Sequence, residues 1–185
     1  EQCDSRRLTG LNLQSPGPGA VTEVRFAEGE DEVAAIQRWS TALDRIFVAL
    51  EWSHTRRWVR RYPGGASLVI DAPLDALYAA TEVNEWAIAA ASGTARPLED
   101  AAAAVRIALT EEASPALSLL QAAAESHKVP FVWDDDAVTV GLGRHCQTWA
   151  FDAIPSPEEV DWSRAKRIPF VYITGTNGKT TTTRM

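Results

Sequence analysis

The chain has 185 residues, of which 45% are apolar and 23% charged, and this balance excludes a disordered or fibrous polymer. A folded chain of this length buries roughly 70% of its unfolded surface, so a core forms without disulfides or metals. The net charge of −7 disfavours nonspecific binding to nucleic acid or anionic lipid, and no apolar run approaches the roughly 18 residues of a membrane span. Two distant cysteines, Cys3 and Cys146, favour a reducing compartment. We therefore expect a cytoplasmic protein without nucleic-acid or membrane partners.

The first 50 residues predict a loop, a strand and a long helix. Glycines and prolines between residues 8 and 20 forbid a helix there and favour an extended loop. Alternating apolar and polar residues over 21–26 predict a half-buried strand. From Glu30 onward, apolar residues recur at steps of three and four, which predicts a helix of about five to six turns with this stripe: Val33, Ile36, Trp39, Leu43, Ile46, Phe47 and Leu50.

The middle of the chain alternates turn signals with short apolar runs. Pro63, Gly64 and Gly65 predict a turn, and Asp71 is placed to cap a helix that runs to about Ala91. The remaining predicted elements are a strand over 66–70, helices over 98–112 and 115–127, a hairpin of 129–133 and 137–142 around the turn 134–136, and a third strand over 147–151.

A turn-rich stretch at 154–157 predicts a domain boundary. Beyond it, the nearly continuous apolar run 168–173 is typical of a strand buried on both faces of a parallel sheet. The predicted fold is an α+β N-terminal domain over residues 1–154, with helices on a small mixed sheet. A linker over 155–167 then leads to the first strand and phosphate-binding loop (P-loop) of an α/β domain over 168–185.

The last 18 residues combine a strand, a glycine loop, the pair Lys179-Thr180 and a helix start. Glycines allow successive backbone N–H groups to turn toward an anion, and a helix N-terminus adds its positive dipole end. Lys179 is placed to reach the β- and γ-phosphates of a nucleotide, and the Thr180 hydroxyl is placed for Mg²⁺. The alternative is a turn that needs glycines for its geometry, with Lys179 solvated.

The string Thr174-Gly175-Thr176-Asn177-Gly178-Lys179-Thr180-Thr181 resembles the ATP-binding loop of the Mur ligase family. The resemblance implies an ATP-dependent ligase in which ATP phosphorylates a carboxylate, an amine attacks the acyl phosphate, and an amide bond forms. It also implies ATP and Mg²⁺ as cofactors, with Lys179 as the catalytic residue and Thr180 meeting Mg²⁺ through ATP. The implied ATP-binding residues are Gly175, Thr176, Asn177, Gly178, Lys179, Thr180 and Thr181.

Residues 8–15 are similar to the opening of the cyanophycin-synthetase-like members of that family, with Leu11 and Gln14 where those members have proline and tryptophan. Residues 129–143 are similar to the stretch that enters their ATP-grasp domain, but the interval 147–166 is too short to hold one. The resemblance therefore implies an N-terminal substrate-binding or assembly domain joined directly to a Mur-type domain. Because the sequence stops at Met185, we expect the fragment alone to be inactive, to bind ATP weakly and to be poorly ordered after about Gly175. The rival hypothesis is a noncatalytic module for polymer binding or self-association.

Four arginines, Arg56, Arg57, Arg60 and Arg61, lie among aromatic residues in this otherwise acidic chain. In a helix they would form like-charge pairs four residues apart, which an acidic ligand would relieve. Two alternatives stay open: a binding patch for an acidic or phosphorylated substrate, or a solvated turn. Glu82 and Glu85 share one face of their predicted helix, and we expect them to contact these arginines.

Two further groups predict no metal site. His145 and Cys146 are adjacent, so in a strand their side chains point to opposite faces and do not share a zinc ion. The three acids at 134–136 lack the spaced ligands of a calcium loop and predict a turn.

Overall fold

The computed structural model describes residues 2–10, 12–165 and 168, and it places them in two compact units that divide after residue 120. The architecture is α+β, as the sequence predicts. The predicted domain boundary near residue 154 concerns a segment that runs into undescribed residues, so it stays a prediction. None of the described helices has an apolar stretch long enough to cross a membrane.

The first unit contains a four-stranded sheet and a layer of helices. Residue 120, after which the units divide, lies within the last of the helices. In chain order the elements are β1 (Gln2–Leu8), β2 (Gly19–Arg25), α1 (Glu32–Leu50), β3 (Arg57–Tyr62), β4 (Gly65–Asp71), α2 (Leu77–Ala91), α3 (Leu98–Glu112) and α4 (Pro115–Ser126).

The sheet has the order β1-β2-β4-β3, and every neighbouring pair is antiparallel. The expectation of a mixed sheet is therefore wrong. β2 and β3 run in the same direction, but they are not neighbours. β4 follows β3 through a two-residue turn and lies between them, pairing with β3 on one side and with β2 on the other. Gly64 has a φ of 76° in that turn, a backbone conformation that favours glycine.

One face of the sheet is covered by helices. α2 packs on β1, β2 and β4, and it also contacts α1 and α3. The predicted stripe of α1 is buried at Trp39, Leu43, Ile46 and Phe47, whereas Val33 is 61% exposed in the first turn. Asp31 caps this helix, because its side chain accepts hydrogen bonds from Val33 N and Ala34 N.

The other face of the sheet carries a smaller apolar cluster. Leu8, Val21 and Val69 are buried there, and Trp58 packs against them half-buried. These residues lie on neighbouring strands with Val21 opposite Val69 and Val69 opposite Trp58. β4 is consequently buried along its whole length.

Asp71 does not cap a helix, contrary to the expectation from sequence. It is the last residue of β4, and a single 3₁₀ turn, Leu74–Ala76, precedes α2. The N-terminus of α2 is instead capped from α3, where the Glu112 carboxylate accepts hydrogen bonds from Tyr78 N and Ala79 N.

The second unit contains the predicted hairpin and third strand, which are confirmed as one antiparallel sheet in which the third strand pairs with the second strand of the hairpin. The turn between the first two strands is an Asx turn, because Asp134 Oδ1 accepts from Asp136 N and Ala137 N. Farther along, the Ser163 hydroxyl and the Arg164 N–H donate to Asp161 and hold the pKa of that carboxyl below its usual value. The strands are β5 (Phe131–Trp133), β6 (Ala137–Val140) and β7 (Gln147–Ala150).

Candidate functional site

The predicted nucleotide loop lies outside the described residues. This holds for all seven residues from Gly175 to Thr181, including Lys179 and Thr180. Ile168, where the predicted strand begins, is described; it is 39% exposed and has no regular secondary structure. The nucleotide site therefore stays a prediction from sequence, and the described part of the chain offers a different candidate.

That candidate is the arginine edge, which we define as residues 56–61. It contains β3, so Arg57, Arg60 and Arg61 lie in a strand, and the alternative of a solvated turn is wrong for them. β3 pairs with β4 on one side, and no described strand pairs with its other side. In a strand the four arginines divide between the two faces of the sheet: Arg57 and Arg61 lie on the helix-covered face, and Arg56 and Arg60 on the face with Trp58.

Arg57 is held against α1. Its guanidinium donates to Ser40 O at 2.7 Å and to Ser40 Oγ at 2.8 Å, and it forms an ion pair with Asp44. Its Cζ lies 5.9 Å from the centroid of the Phe47 ring. Because these contacts use the helix-covered face, Arg57 anchors β3 to α1.

Arg56 is held by a buried carboxylate. Its Nε donates to Asp71 Oδ2 at 3.0 Å, and its Cζ lies 5.7 Å from the centroid of the Trp58 ring. His54 Nδ1 lies 3.5 Å from the same Asp71 oxygen. No pattern in the sequence predicts this cluster, because the pairing of β3 with β4 is what places Asp71 beside the residues before β3.

Arg60 and Arg61 are exposed and have no hydrogen-bond or ion-pair partner among the described residues. The predicted contact of the arginines with Glu82 and Glu85 is wrong, since the acids that pair with the arginine edge are Asp44 and Asp71. Glu23 lies two strands away from Arg60 on the same face. Its carboxylate accepts a hydrogen bond from Ser67 Oγ and forms an ion pair with Arg6. Among the residues that the structure describes, the arginine edge therefore carries two positive charges without a paired acid, in a chain whose net charge is −7.

The backbone of β3 adds a second recognition element. Asp71 N donates to Arg56 O, and in an antiparallel ladder such bonded positions alternate. The N–H and C=O groups of Arg57, Val59 and Arg61 therefore point toward the unpaired side of the strand. The Val59 side chain is 37% exposed. An extended peptide is the ligand that such an edge accepts by strand addition.

The loop that carries the resemblance over residues 8–15 is folded by two of its matching residues. Asn12 Oδ1 accepts from Gln14 N and Ser15 N, and Asn12 Nδ2 donates to Gly10 O and Gly17 O. Ser15 Oγ donates to Gly17 O at 2.7 Å. The described contacts of Asn12 and Ser15 are thus all within the loop, which gives these two positions a structural role.

Within the described residues, no group of three His, Cys, Asp or Glu side chains is placed to hold a metal ion. A comparison of the sequence with models of known protein families and with curated proteins finds no match.

Proposed function

We propose that this chain is the N-terminal part of an ATP-dependent ligase that joins a carboxylate to an amine. The observation that carries the proposal is the sequence from Thr174 to Thr181, which follows a strand-type apolar run and resembles the ATP-binding loop of the Mur ligases. A structural turn would need its glycines, but it would need neither Lys179 nor Thr180.

In the proposed reaction, a substrate carboxylate oxygen attacks the γ-phosphorus of ATP, and ADP leaves. The amine nitrogen then attacks the carbonyl carbon of the acyl phosphate, and inorganic phosphate leaves as the amide forms. Lys179 and the backbone N–H groups of 175–180 would neutralise the triphosphate, and the Thr180 hydroxyl would meet Mg²⁺. The protein's contribution to such a transfer is mainly positioning and charge stabilisation.

The proposal is tested with Lys179→Ala in the full-length enzyme that it implies. Loss of a charge that stabilises the transferring phosphoryl group is expected to reduce substrate-dependent ADP release by about 100-fold or more. Lys166→Ala, a lysine outside the loop, is the matched control and should retain ADP release. Release at the wild-type rate from Lys179→Ala would refute the assignment.

We propose further that the arginine edge binds the carboxylate-bearing substrate of this ligase. Support comes from the guanidinium groups of Arg60 and Arg61 and the backbone groups beside them, which have no partner among the described residues. Arginine binds carboxylates through two parallel hydrogen bonds, and the unpaired strand edge suits an extended chain. The preferred ligand on these grounds is an acidic peptide.

The same observation supports the second candidate, a noncatalytic module that binds an acidic polymer. Self-association through β3 is disfavoured, because two copies paired along this edge would bring their arginines together. If the chain binds a polymer without catalysis, the arginine edge keeps this role even if Lys179→Ala does not change ADP release.

Binding at the arginine edge is tested by calorimetric titration of the chain with polyaspartate. Replacement of both Arg60 and Arg61 by Gln is expected to weaken binding by about 10-fold or more, since each charged hydrogen bond contributes about 1.5–3 kcal/mol. Arg45→Gln removes an exposed arginine of α1 and should leave the affinity unchanged. Equal affinities for the wild type and the double variant would exclude this edge as the binding site.

A further inference from the structure

The cluster of Asp71, His54 and Arg56 has a buried base and an exposed rim. Asp71 is 5% exposed, whereas the side chains of Arg56 and His54 are 72% and 44% exposed. Both basic side chains approach the same carboxylate oxygen, Oδ2, at 3.0 Å from Arg56 Nε and 3.5 Å from His54 Nδ1. The carboxylate thus lies beneath two basic groups that face solvent.

Both the buried carboxylate and the two basic groups above it have hydrogen-bonding atoms without partners among the described residues. Asp71 Oδ1 is buried and has no partner among the described residues. A buried oxygen without a hydrogen-bond partner lowers the stability of the fold by about 1–3 kcal/mol. An ion pair that served stability alone would be expected to include a donor for this oxygen. Above it, the described contacts of Arg56 leave both terminal amino groups unused, and those of His54 leave Nε2 unused.

We propose that Asp71, His54 and Arg56 form a binding site for a small oxyanion, a carboxylate or phosphate group. A guanidinium that is fixed through Nε presents its two terminal amino groups in one plane, which matches two oxygens of an oxyanion. When the imidazole is protonated, His54 Nε2–H supplies a third donor, and the cluster then carries one positive charge more than it needs for Asp71.

In this site Asp71 is a positioning residue and does not contact the ligand. Its carboxylate holds Arg56 from one side, and the Trp58 ring lies near the same guanidinium. The charged groups that face His54 in the described residues are Asp71 from β4 and, through their shared oxygen, Arg56. Fixing Arg56 before the ligand arrives reduces the side-chain entropy lost on binding.

The inference does not rest on the nucleotide loop or on binding of polymers at Arg60 and Arg61. It concerns a small anion on other side chains, and its test uses neither ATP turnover nor a polyanion. Failure of the ligase proposal would leave it standing, and its own failure would leave the ligase proposal standing.

The test is NMR of the imidazole nitrogens in the 185-residue chain, which contains three histidines. Inorganic phosphate and acetate are titrated separately at one fixed pH, with chloride keeping the ionic strength constant. We expect a saturable shift of the His54 resonances. His145 is an internal control, because Arg144 Nε lies 3.2 Å from its Nε2 and neither residue forms an ion pair with a carboxylate among the described residues.

Variants distinguish specific binding of the anion at this cluster from a nonspecific effect of ionic screening. Arg56→Gln is expected to raise the dissociation constant by about 10-fold, and Arg56→Lys to raise it less, because lysine keeps the charge and loses the planar pair of donors. Asp71→Asn should also weaken binding, although it removes a negative charge. Arg45→Gln should bind as the wild type does.

A response to both probes, or to either one, supports the site and identifies the anion that it prefers. Equal shifts at His54 and His145, no response to either probe, or an Arg56→Gln variant that is folded by its amide spectrum and binds as tightly as the wild type would overturn the proposal. Tighter binding by Asp71→Asn would also overturn it, because Asp71 would then repel the anion more than it positions Arg56.

Discussion

Asn84 shows how one polar residue can organise the core of the first unit. Its amide is fully buried, donates to Thr22 Oγ1 at 3.1 Å and to Leu68 O at 2.9 Å, and accepts from Trp39 Nε1 at 2.9 Å. A single side chain thereby joins α1, α2, β2 and β4. Buried polar groups that are fully paired in this way hold one arrangement of elements against alternatives.

We predict that Asn84→Ala lowers the free energy of unfolding by about 2–4 kcal/mol. It removes the partner of the Trp39 N–H and leaves a cavity in the core. Urea denaturation followed by tryptophan fluorescence measures the change. Glu82→Ala lies on the same helix at an exposed position and should stay within about 0.5 kcal/mol of the wild type. A loss for Asn84→Ala no larger than this would show that water or a rearranged neighbour replaces the amide.

At the scale of single residues, the sequence could find the arginines but not their separate roles. Arg57 and Arg61 are the same residue type and lie only four positions apart, yet Arg57 is bound to Ser40 and Asp44 while Arg61 has no partner in the described part of the chain. The difference depends on where α1 crosses the sheet, a long-range contact. Asp71 likewise fits a helix cap by sequence, and only the register of β4 shows that it ends a strand.

At the scale of elements, the strands that were missed are the ones with polar sequences. Residues 2–8 and 57–62 contain charged side chains at both alternating positions, so neither shows the period-two pattern of a half-buried strand. Both are edge strands of the sheet, where charged residues are favoured because they oppose pairing with other chains. The helices and the central strands have apolar patterns or apolar runs, bounded by turn residues, that predict them within a few residues.

The start of α2 depends on a neighbouring helix instead of a local cap. Ala76, the residue before α2, has no side chain able to cap, and the carboxylate of Glu112 at the end of α3 accepts from Tyr78 N at 2.8 Å and from Ala79 N at 3.1 Å. A negative charge at this position also interacts favourably with the helix dipole. This contact fixes the end of α3 against the beginning of α2.

We predict that Glu112→Gln destabilises the first unit by about 0.5–2 kcal/mol, the range for loss of a charged N-terminal cap. The amide retains an acceptor but loses the charge. Glu111→Gln changes the adjacent, exposed residue and serves as the control, with an expected change within about 0.5 kcal/mol. Thermal unfolding at low ionic strength measures both, and equal effects of the two variants would contradict the capping role.

At the scale of the whole molecule, composition and hydrophobic patterning predicted the α+β class, while strand direction needed the register. A mixed sheet is the natural expectation when helices alternate with strands. Here the turn at 63–64 returns the chain beside β3, and β4 fills the place between β2 and β3, which makes the sheet antiparallel. The loop over 175–181 is a local motif, so its prediction from sequence does not depend on this topology.

The net charge of the whole chain sets how polyanion binding at the arginine edge should respond to salt. The chain carries 25 acidic and 18 basic residues and therefore repels a polyanion at long range, while Arg60 and Arg61 attract it at short range. If the short-range contacts dominate, polyaspartate binding weakens as NaCl is added, because each neutralised charge releases a counterion. Replacing both arginines by Gln should then reduce the slope of log K against log salt by about 1–2. If binding instead strengthened with salt, screened repulsion would be the controlling effect and the arginine edge would not be the attachment point.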